Sequence, residues 1–573
     1  MAQQKTTSPL DSQFTLAATT GKMLIAIFVV AGAMRLAALG QIPAGINVDE
    51  AANAWNAYTL LKTGKDQHGV SWPIFYTRAF GENRSASYIY ALIPFQALGG
   101  MSVQTTRLPA ALGGSLSVLL MYFVGARLFG AVTGLVAAAM LALNPWHVQI
   151  SRLGVEASLT PLLILASLAA LLWARLPLFN DGDRPARPLV AFFAGLVFGL
   201  SFYGYWAVRM FLPLFLIAAV GLTWNSWWRQ IKNRRGALAV GAFVLALAVT
   251  GGPLLWRHLS DPAIAKRAEI QGWIWNESDG LIEKIAKAAA RYPGHFGPDF
   301  LFINGDNDPA YSPLTDTALF HWYDLPFLLL GLIVCVRQAR SSAAARLLLL
   351  WIILYPVADL LARHSSLHAL RSLPGLPALI LLAALGAVRV SEWFRDRRAG
   401  IVPVGYAALG LAAVFNVLFL KQFYFDRNQT VEKFFANQVD HFRACDWLRP
   451  RLSGADAVFW SGSAAHRYIY TVVCLGYDPA QWFREVREII PGPLPGGLFA
   501  HEDIYLRVGK FHFVFGDASS KTALNELLHN DRPDRVIFVV RPGELGLQRN
   551  APPVFEVLGP DGKPTFWIFD VKL

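Results

Sequence analysis

Apolar residues fall into long, nearly uncharged blocks that are separated by short polar stretches. Several blocks approach or reach the ~20 residues that a helix needs to cross a bilayer, and they predict about eleven spanning helices. The predicted spans are 23–40, 108–126, 131–147, 157–175, 188–204, 207–224, 237–256, 321–337, 346–362, 372–388 and 401–420. The pattern is that of an α-helical polytopic membrane protein.

Composition agrees with this interpretation. The chain is 54% hydrophobic and only 16% charged, whereas a soluble domain is typically about 25% charged. Basic residues outnumber acidic ones, 51 against 39, but they fall in short tracts between the apolar blocks. There is no basic arm, zinc-finger spacing or RNA-binding signature. The basic tracts therefore indicate cytoplasmic loops that follow the positive-inside rule, and no nucleic acid partner is expected.

Charge placement also predicts the topology. The basic tracts all lie in the cytoplasm if an odd number of spans precedes the C-terminal tail and residues 1–22 lie inside. The apolar segment 87–100 is too short to cross and is predicted to be an interfacial or re-entrant helix. The predicted organisation comprises a cytoplasmic N-terminus 1–22, a transmembrane domain 23–420 with non-cytoplasmic loops 41–107, 148–156 and 257–320, and a soluble domain 421–573.

The tail differs in pattern from the rest of the chain. Strand-like runs at 457–460, 511–515, 535–540 and 565–571 alternate with helix-like stretches, which predicts a soluble α/β domain. Cys445 and Cys474 both lie there. They form a disulfide only if the domain lies in an oxidising compartment, and the sequence leaves this open.

Acidic residues are concentrated in the first non-cytoplasmic loop. Asn47, Asp49 and Glu50 follow the first span directly, and the same loop contains His68 and the stretch Glu82-Asn83-Arg84. Such charges are often only solvated loop residues. A long loop that combines acids, His, Arg and aromatic residues at a membrane surface is more typical of a site.

The second loop adds a further set of polar residues at the membrane boundary. It contains Asn144-Pro145-Trp146-His147, then Ser151-Arg152, and ends at Glu156. Glu156 begins a span, so its charge lies near the bilayer and requires a reason. It either stabilises a helix N-terminus or belongs to a site.

In this order of motifs, with Arg107-Leu108-Pro109 and Arg127-Leu128-Phe129-Gly130 bounding the second span, the chain resembles the membrane glycosyltransferases of the GT-C type. The most similar branch is that of the protein O-mannosyltransferases and the lipid A aminoarabinose transferase, glycosyltransferase family 39-like. The resemblance covers roughly 20–420 and is strongest over 45–160. It implies transfer of a sugar from a polyprenyl phosphate carrier to an acceptor on the periplasmic side of a bacterial inner membrane.

The resemblance also implies roles for residues. Asp49 lies at the family's acidic position as general base or acceptor-orienting group, beside Glu50, and Glu82 and Glu156 lie at its other acidic positions. A leaving lipid phosphate needs cations. Five arginines are candidates for this role. Because each can also simply snorkel to the membrane interface, two of the five are expected to bind phosphate. The phosphate candidates are Arg84, Arg152, Arg209, Arg257 and Arg371, and the substrate-contact candidates are His68, His147, His295, His368 and Trp273.

Metal and rival functions remain open from the sequence. His295, Asp299, Asp306 and Asp308 fit no known metal-ligand spacing, while the family resemblance leaves a divalent cation near Asp49 open. One rival function is a lipid-linked sugar flippase or transporter, although no internal repeat is visible. Another is an O-antigen polymerase or ligase, which typically uses Arg and His of a late loop. The sugar and the acceptor are not identified.

Overall fold

Helices make up most of the described chain. The computed structural model describes residues 9–80, 82–177, 185–261, 280–306, 318–362, 367–396, 414–426, 438–461, 467–490, 504–515, 517–549 and 552–573. The helices of the first part, in chain order, are α1 (Pro9–Leu36), α2 (Val48–Thr63), α3 (Ser87–Gly99), α4 (Val103–Phe129), α5 (Ala131–Leu143), α6 (Pro145–Ile150), α7 (Thr160–Ala174), α8 (Pro188–Ser201), α9 (Trp206–Leu222), α10 (Trp224–Lys232) and α11 (Arg234–Ser260).

Further helices continue to the end of the chain. They are α12 (Leu281–Arg291), α13 (Asp324–Gln338), α14 (Ala343–Leu354), α15 (Val357–Leu360), α16 (Ala369–Ser372), α17 (Leu376–Asp396), α18 (Val439–Leu448), α19 (Arg467–Leu475), α20 (Pro479–Glu485) and α21 (Asp517–Asn525). The strands are β1 (Tyr76–Ala79), β2 (Glu82–Ser85), β3 (Ala457–Ser461), β4 (Val486–Ile490), β5 (Ile504–Val508), β6 (Phe511–Phe515), β7 (Arg535–Val540), β8 (Phe555–Leu558) and β9 (Pro564–Lys572).

Long apolar helices confirm the polytopic membrane architecture. Among the described residues, six helical stretches are long and apolar enough to cross a bilayer, and the pair α9–α10, bent by 78°, gives a seventh if counted as one span. The predicted spans from 23–40 to 372–388 all coincide with helices. Most of 401–420 lies outside the described residues, so the number eleven stays a prediction.

The chain divides into two compact units that do not follow its linear order. The first unit comprises residues 1–37 and 110–419, and the second comprises 38–109 and 420–573. The loop 41–107, which the sequence assigned to the transmembrane domain, is thus grouped with the C-terminal region. Within the second unit, α2 packs against α3, α19 and α20.

Helix contacts in the first unit depend on small residues. Gly331 of α13 and Gly386 of α17 face each other, and a Cβ at either position would collide with main-chain atoms of the other helix. In a bilayer, where no hydrophobic effect drives apolar helices together, such close backbone approach supplies the packing contacts that hold helices in place.

A seven-stranded mixed sheet forms the core of the C-terminal region. Its strand order is β4-β5-β6-β3-β7-β9-β8. The central strand β3 is parallel to β6 and β7, and the other pairs are antiparallel. All five residues of β3 are buried, as expected for a strand covered on both faces. The α/β fold predicted for the tail is confirmed.

A disulfide joins two helices of this region. Cys445 of α18 is bonded to Cys474 of α19, at a sequence separation of 29, while Cys335 of α13 is a buried free thiol. Closing a loop of this length restricts the unfolded chain and contributes roughly 3–4 kcal/mol in the chain-entropy description.

We therefore expect only Cys335 to react when the purified protein is denatured without reductant and treated with an alkylating reagent. After reduction all three cysteines should react, because the chain contains three in total. Intact-mass measurement of the two samples distinguishes the states. Three labels in the unreduced sample would show that Cys445 and Cys474 are free thiols.

Candidate active site

The acidic motif of the first loop forms the start of α2. The side chain of Asn47 accepts a hydrogen bond from the Glu50 amide (2.9 Å), and the Asn47 amide donates to the Glu50 carboxylate (3.2 Å). This reciprocal capping box satisfies two amide groups that a helix start leaves unpaired. Asp49 therefore lies in the first turn of α2, where the helix dipole favours a negative charge.

Glu50 is an internal structural residue. It and Arg107, which lies in the first turns of α4, are both 0% exposed, and two guanidinium nitrogens lie 2.8 and 3.0 Å from the two carboxylate oxygens. The remaining N–H groups of Arg107 donate to the carbonyls of Leu39, Pro43 and Gly45. The prediction that Glu50 is catalytic is therefore wrong, because neither substrate nor water reaches a carboxylate enclosed in this way.

Asp49, in contrast, is accessible. Its carboxylate is 39% exposed and lies 2.7 Å from a guanidinium nitrogen of Arg84, which is 16% exposed. Arg84 is presented by the hairpin β1–β2 and lies over the ring of Phe80, 5.6 Å from its centroid. Arg84, predicted to bind the donor phosphate, is thus the ion-pair partner of the predicted base.

Other candidates of the first loop have different surroundings. The backbone of Glu82 begins β2, and its side chain lies outside the described residues. His68 is exposed, in a turn where the Asp66 carboxylate accepts the amides of His68 and Val70. Trp273 lies outside the described residues.

Residues of the C-terminal region pack against α2. The rings of Trp55 and Trp482 are in edge contact at 5.7 Å, and the Trp482 indole donates to the Gln67 carbonyl (3.0 Å). Tyr470 of α19 is buried, and its pKa is raised first by that burial and then by the negative charge of Asp49. The surroundings of Asp49 are therefore built by two segments that are far apart in sequence.

The first unit contains a second polar cluster, centred on Asp359 of α15, which is 0% exposed. His295 Nε2 lies 3.0 Å from its carboxylate. Guanidinium nitrogens of Arg291 and Arg371 lie 3.7 and 3.8 Å away, beyond hydrogen-bond distance. The cluster brings together the predicted residues His295 and Arg371 around an acid that was not among the residues predicted from the sequence.

His368 belongs to the same cluster. Its amide donates to Asp359 (3.3 Å), and its Nδ1 lies 3.2 Å from Asp306. Asp306 also accepts the Ala369 amide (2.8 Å). The 3₁₀ turn that begins at Glu156 packs against α16, which places this 7%-exposed acid beside the cluster.

Three of the predicted phosphate-binding arginines have other contacts. The buried guanidinium of Arg152 donates to the carbonyls of Met34, Arg35 and Ala37 (3.0, 2.9 and 2.7 Å), which caps the end of α1. Because these carbonyls have no intrahelical donor, Arg152 stabilises the helix end. The prediction that Arg152 binds phosphate is therefore wrong.

Arg209 and Arg257 also differ from the prediction. Arg209 Nε donates to the Phe202 carbonyl (2.7 Å), just after the end of α8, and Arg257 is 51% exposed and pairs with Asp261 at 2.8 Å. His147, predicted to contact substrate, is 0% exposed, and its Nδ1 lies 2.7 Å from Arg35. These contacts assign structural roles to His147 and Arg209 and leave Arg257 as a surface residue.

A metal site is not built around Asp49 in the part of the chain that the structure describes. The Arg84 guanidinium lies where a cation would bind, and no group of three ligand residues surrounds Asp49. The grouping that does have metal-binding geometry among these residues is His441 with Cys445 and Cys474, whose sulfurs are bonded to each other. No catalytic step is therefore assigned to a metal.

Comparison with known proteins supports the fold. Residues 86–256 match the family model of dolichyl-phosphate-mannose-protein mannosyltransferase. ArnT from Cupriavidus metallidurans in the apo state superposes with a TM-score of 0.57 at 13% identity, over 96% of this chain and 98% of ArnT. The Archaeoglobus fulgidus oligosaccharyltransferase in the apo form gives a TM-score of 0.43 at 13% identity, over 80% of this chain and 64% of that protein. No curated protein sequence matches the chain.

The fold and the matched segment 86–256 are similar to those of membrane glycosyltransferases of the GT-C type. Within this class, the similarity to ArnT extends over nearly the whole of both chains. ArnT bound to undecaprenyl phosphate superposes with a TM-score of 0.55 at 12% identity, over 95% of this chain and 97% of ArnT. The C-terminal α/β region, for which the sequence offered no relative, is therefore included in the similarity.

The buried pair leads to a stability prediction. Glu50→Gln should lower the free energy of unfolding by roughly 3–5 kcal/mol, because it leaves the enclosed Arg107 guanidinium without its counter-charge. Glu556→Gln, at an exposed position of β8, is the control and should change stability by less than ~0.5 kcal/mol. Unfolding of the detergent-solubilised variants measures both. Equal stability of the two variants would contradict the structural role of Glu50.

Proposed function

We propose that this glycosyltransferase moves a sugar from a polyprenyl-phosphate-linked donor to an acceptor on the periplasmic face of the bacterial inner membrane. The donor class is supported by ArnT, which shares the fold and has been determined with undecaprenyl phosphate. The observation that carries the proposal is the exposed Asp49 carboxylate in the first turn of α2, on a GT-C fold.

Asp49 acts as the general base in this proposal. The carboxylate takes the proton of the acceptor hydroxyl or amine as its oxygen or nitrogen bonds to the anomeric carbon. The bond between that carbon and the phosphate oxygen breaks, and the polyprenyl phosphate leaves with the electron pair. Arg84 holds the Asp49 carboxylate in a fixed orientation through their 2.7 Å ion pair.

The Asp359 cluster is our candidate for binding the donor phosphate. Arg371 lies beyond hydrogen-bond distance of the Asp359 carboxylate, so its guanidinium can turn toward a second anion without breaking a close pair. A guanidinium matches the geometry of phosphate oxygens and stabilises the negative charge that grows on the leaving group. His295 orients Asp359, which in turn positions the two arginines.

The periplasmic location rests on two independent features. Basic tracts between the apolar blocks place those loops in the cytoplasm by the positive-inside rule. The Cys445–Cys474 disulfide requires an oxidising compartment, which in bacteria is the periplasm. Both features support a C-terminal region on the side opposite the basic loops.

The base is tested by Asp49→Asn, which keeps size and hydrogen-bonding shape but removes basicity. Transfer of labelled sugar from a polyprenyl phosphate donor should fall ~100- to 10,000-fold, with normal membrane insertion. Asp446→Asn is the matched control, because Asp446 is 73% exposed and paired with Arg449. Near-normal turnover by Asp49→Asn would remove Asp49 from the mechanism and leave Glu82 or Glu156 as the candidate base.

The phosphate cluster is tested by Arg371→Gln. Loss of one charged hydrogen bond to phosphate typically costs 1.5–3 kcal/mol, so the apparent affinity for the donor should fall roughly 10- to 100-fold. Arg371→Lys should recover part of it. Arg389→Gln, at an exposed residue paired with Glu392, is the control in the same unit. An unchanged KM for the donor in Arg371→Gln would exclude this cluster from donor binding.

A further inference from the structure

The C-terminal region contains a buried arginine that the fold leaves without a hydrogen-bond partner. Arg467, the first residue of α19, is only 2% exposed. Across the part of the chain that the structure describes, no acceptor lies within hydrogen-bond distance of its Nε, Nη1 or Nη2 atoms. Its guanidinium lies over the ring of Phe566, 4.7 Å from the centroid. A cation–π contact offsets only a fraction of the free energy lost on burying such a charge.

A second cation lies on the same aromatic ring. The guanidinium of Arg541, which follows β7, is 5.5 Å from the centroid of Phe566. Burial and, next, the charge of Arg541 lower the pKa of Arg467 to about 10. Arg467 is therefore still a cation at neutral pH. Two guanidinium groups on one buried ring repel each other unless an anion lies between or beside them.

The neighbouring acids Asp440 and Glu544 do not form an ion pair with Arg467 among the described residues. Asp440 is 0% exposed, and burial raises the pKa of its carboxyl. Its Oδ1 accepts the His441 amide (2.9 Å), and among described residues it is not close enough to Arg467 for an ion pair. Glu544 accepts the main-chain N–H of Arg541 (3.0 Å). Burial, followed by the charge of Arg467, lowers the pKa of His441 well below its usual range, so its ring is neutral.

The helix that begins with Arg467 contacts the helix that carries the proposed base. α19 packs against α2, and Ile469 and Tyr470 share one buried core with Ala51 and Trp55. Tyr470 follows Arg467 by one helical turn and, as described above, responds to the charge of Asp49. Arg467 and Tyr470 therefore lie on the same side of α19, and Tyr470 is the residue whose pKa is raised by the charge of Asp49.

We propose that Arg467, together with Arg541, binds an oxyanion of the acceptor substrate, a phosphate or carboxylate group, beside Asp49. The assignment to the acceptor rests on the proposed function. In a displacement with inversion, the leaving phosphate departs from the face of the anomeric carbon opposite the attacking group. An anion site on the side of the base therefore holds the acceptor, and the C-terminal region selects acceptors that carry such a group.

The experiment measures binding of inorganic phosphate to the full-length protein by calorimetry and thermal unfolding. Arg467→Met should weaken phosphate binding about 10- to 100-fold, while its melting temperature without phosphate stays equal or rises, because an unpaired buried charge is removed. Asp440→Asn should strengthen phosphate binding by removing a competing carboxyl group. Arg451→Met, at an exposed arginine over Trp447 in the same region, is the matched control and should leave binding unchanged.

A second ligand separates the two sources of an oxyanion. Undecaprenyl phosphate should bind equally well to the wild-type protein and to Arg467→Met, whereas an equal loss for both ligands would assign the anion to the donor and overturn the proposal. Phosphate binding that Arg467→Met leaves intact would also overturn it. If Arg467→Met does not fold, Arg467→Lys, which keeps the charge but loses the planar fork, should fold and still show weakened phosphate binding.

These binding measurements need no transfer activity, so the two proposals can fail separately. Loss of the phosphate site with transfer still dependent on Asp49 would remove this inference alone. Transfer that is independent of Asp49, with phosphate binding intact, would remove the proposed base and leave the anion site without its assignment to the acceptor.

Discussion

The buried ion pair between Glu50 and Arg107 fixes the position of everything at the start of α2. All five N–H groups of Arg107 are used, two on Glu50 and three on carbonyls of residues 39–45. The loop that leaves the first span is thereby wrapped around one guanidinium, and Glu50 also closes the capping box with Asn47. The burial of Glu50 fixes the orientation of the first turn of α2, in which the neighbouring residue Asp49 is exposed.

Cations in this protein illustrate how a membrane chain uses arginine for two different purposes. Arg107 and Arg152 each supply several hydrogen bonds to carbonyls at loops or helix ends, where no backbone donor is available. Arg291 and Arg371 face a single acid from beyond hydrogen-bond distance. The first arrangement is saturated and structural. In the second, no acceptor among the described residues lies within hydrogen-bond distance of Arg371 Nη1, so this donor is available for the proposed binding of a phosphate.

Local patterns in the sequence were sufficient for much of the fold. Bilayer-length apolar runs predicted the helices, and strand-like runs predicted β3, β6, β7 and β9. The edge or near-edge strands β4, β5 and β8 were not predicted, because they are short and all three carry charged residues. The grouping of 38–109 with the C-terminal region was also missed, since contacts such as Trp482 with Gln67 join residues 415 positions apart.

The residues of the candidate site, too, could be predicted only where the local sequence pattern was sufficient. Asp49 could be selected from the sequence because it follows a span directly. The group with which each arginine interacts could not be predicted. Arg84, Arg152 and Arg371 look alike in sequence, but their neighbours differ. Arg84 pairs with an acid, Arg152 donates to three carbonyls, and Arg371 lies farther from an acid. Asp359 did carry a signal, because it lies within the apolar block 346–362, and an ionisable residue inside such a block is a functional candidate by default.

Placing the base and a basic pair in one unit has a consequence for specificity. Asp49 belongs to the loop after the first span, while Arg467 and Arg541 belong to a region that begins some 400 residues later, yet all three lie in the second unit. The proton-accepting group and the groups proposed to hold the acceptor are then positioned by one shared core, that of Trp55, Tyr470 and Trp482. On these proposals, a change of acceptor class in evolution would need substitutions around that core, and would leave unchanged the cluster of the first unit that we propose for donor binding.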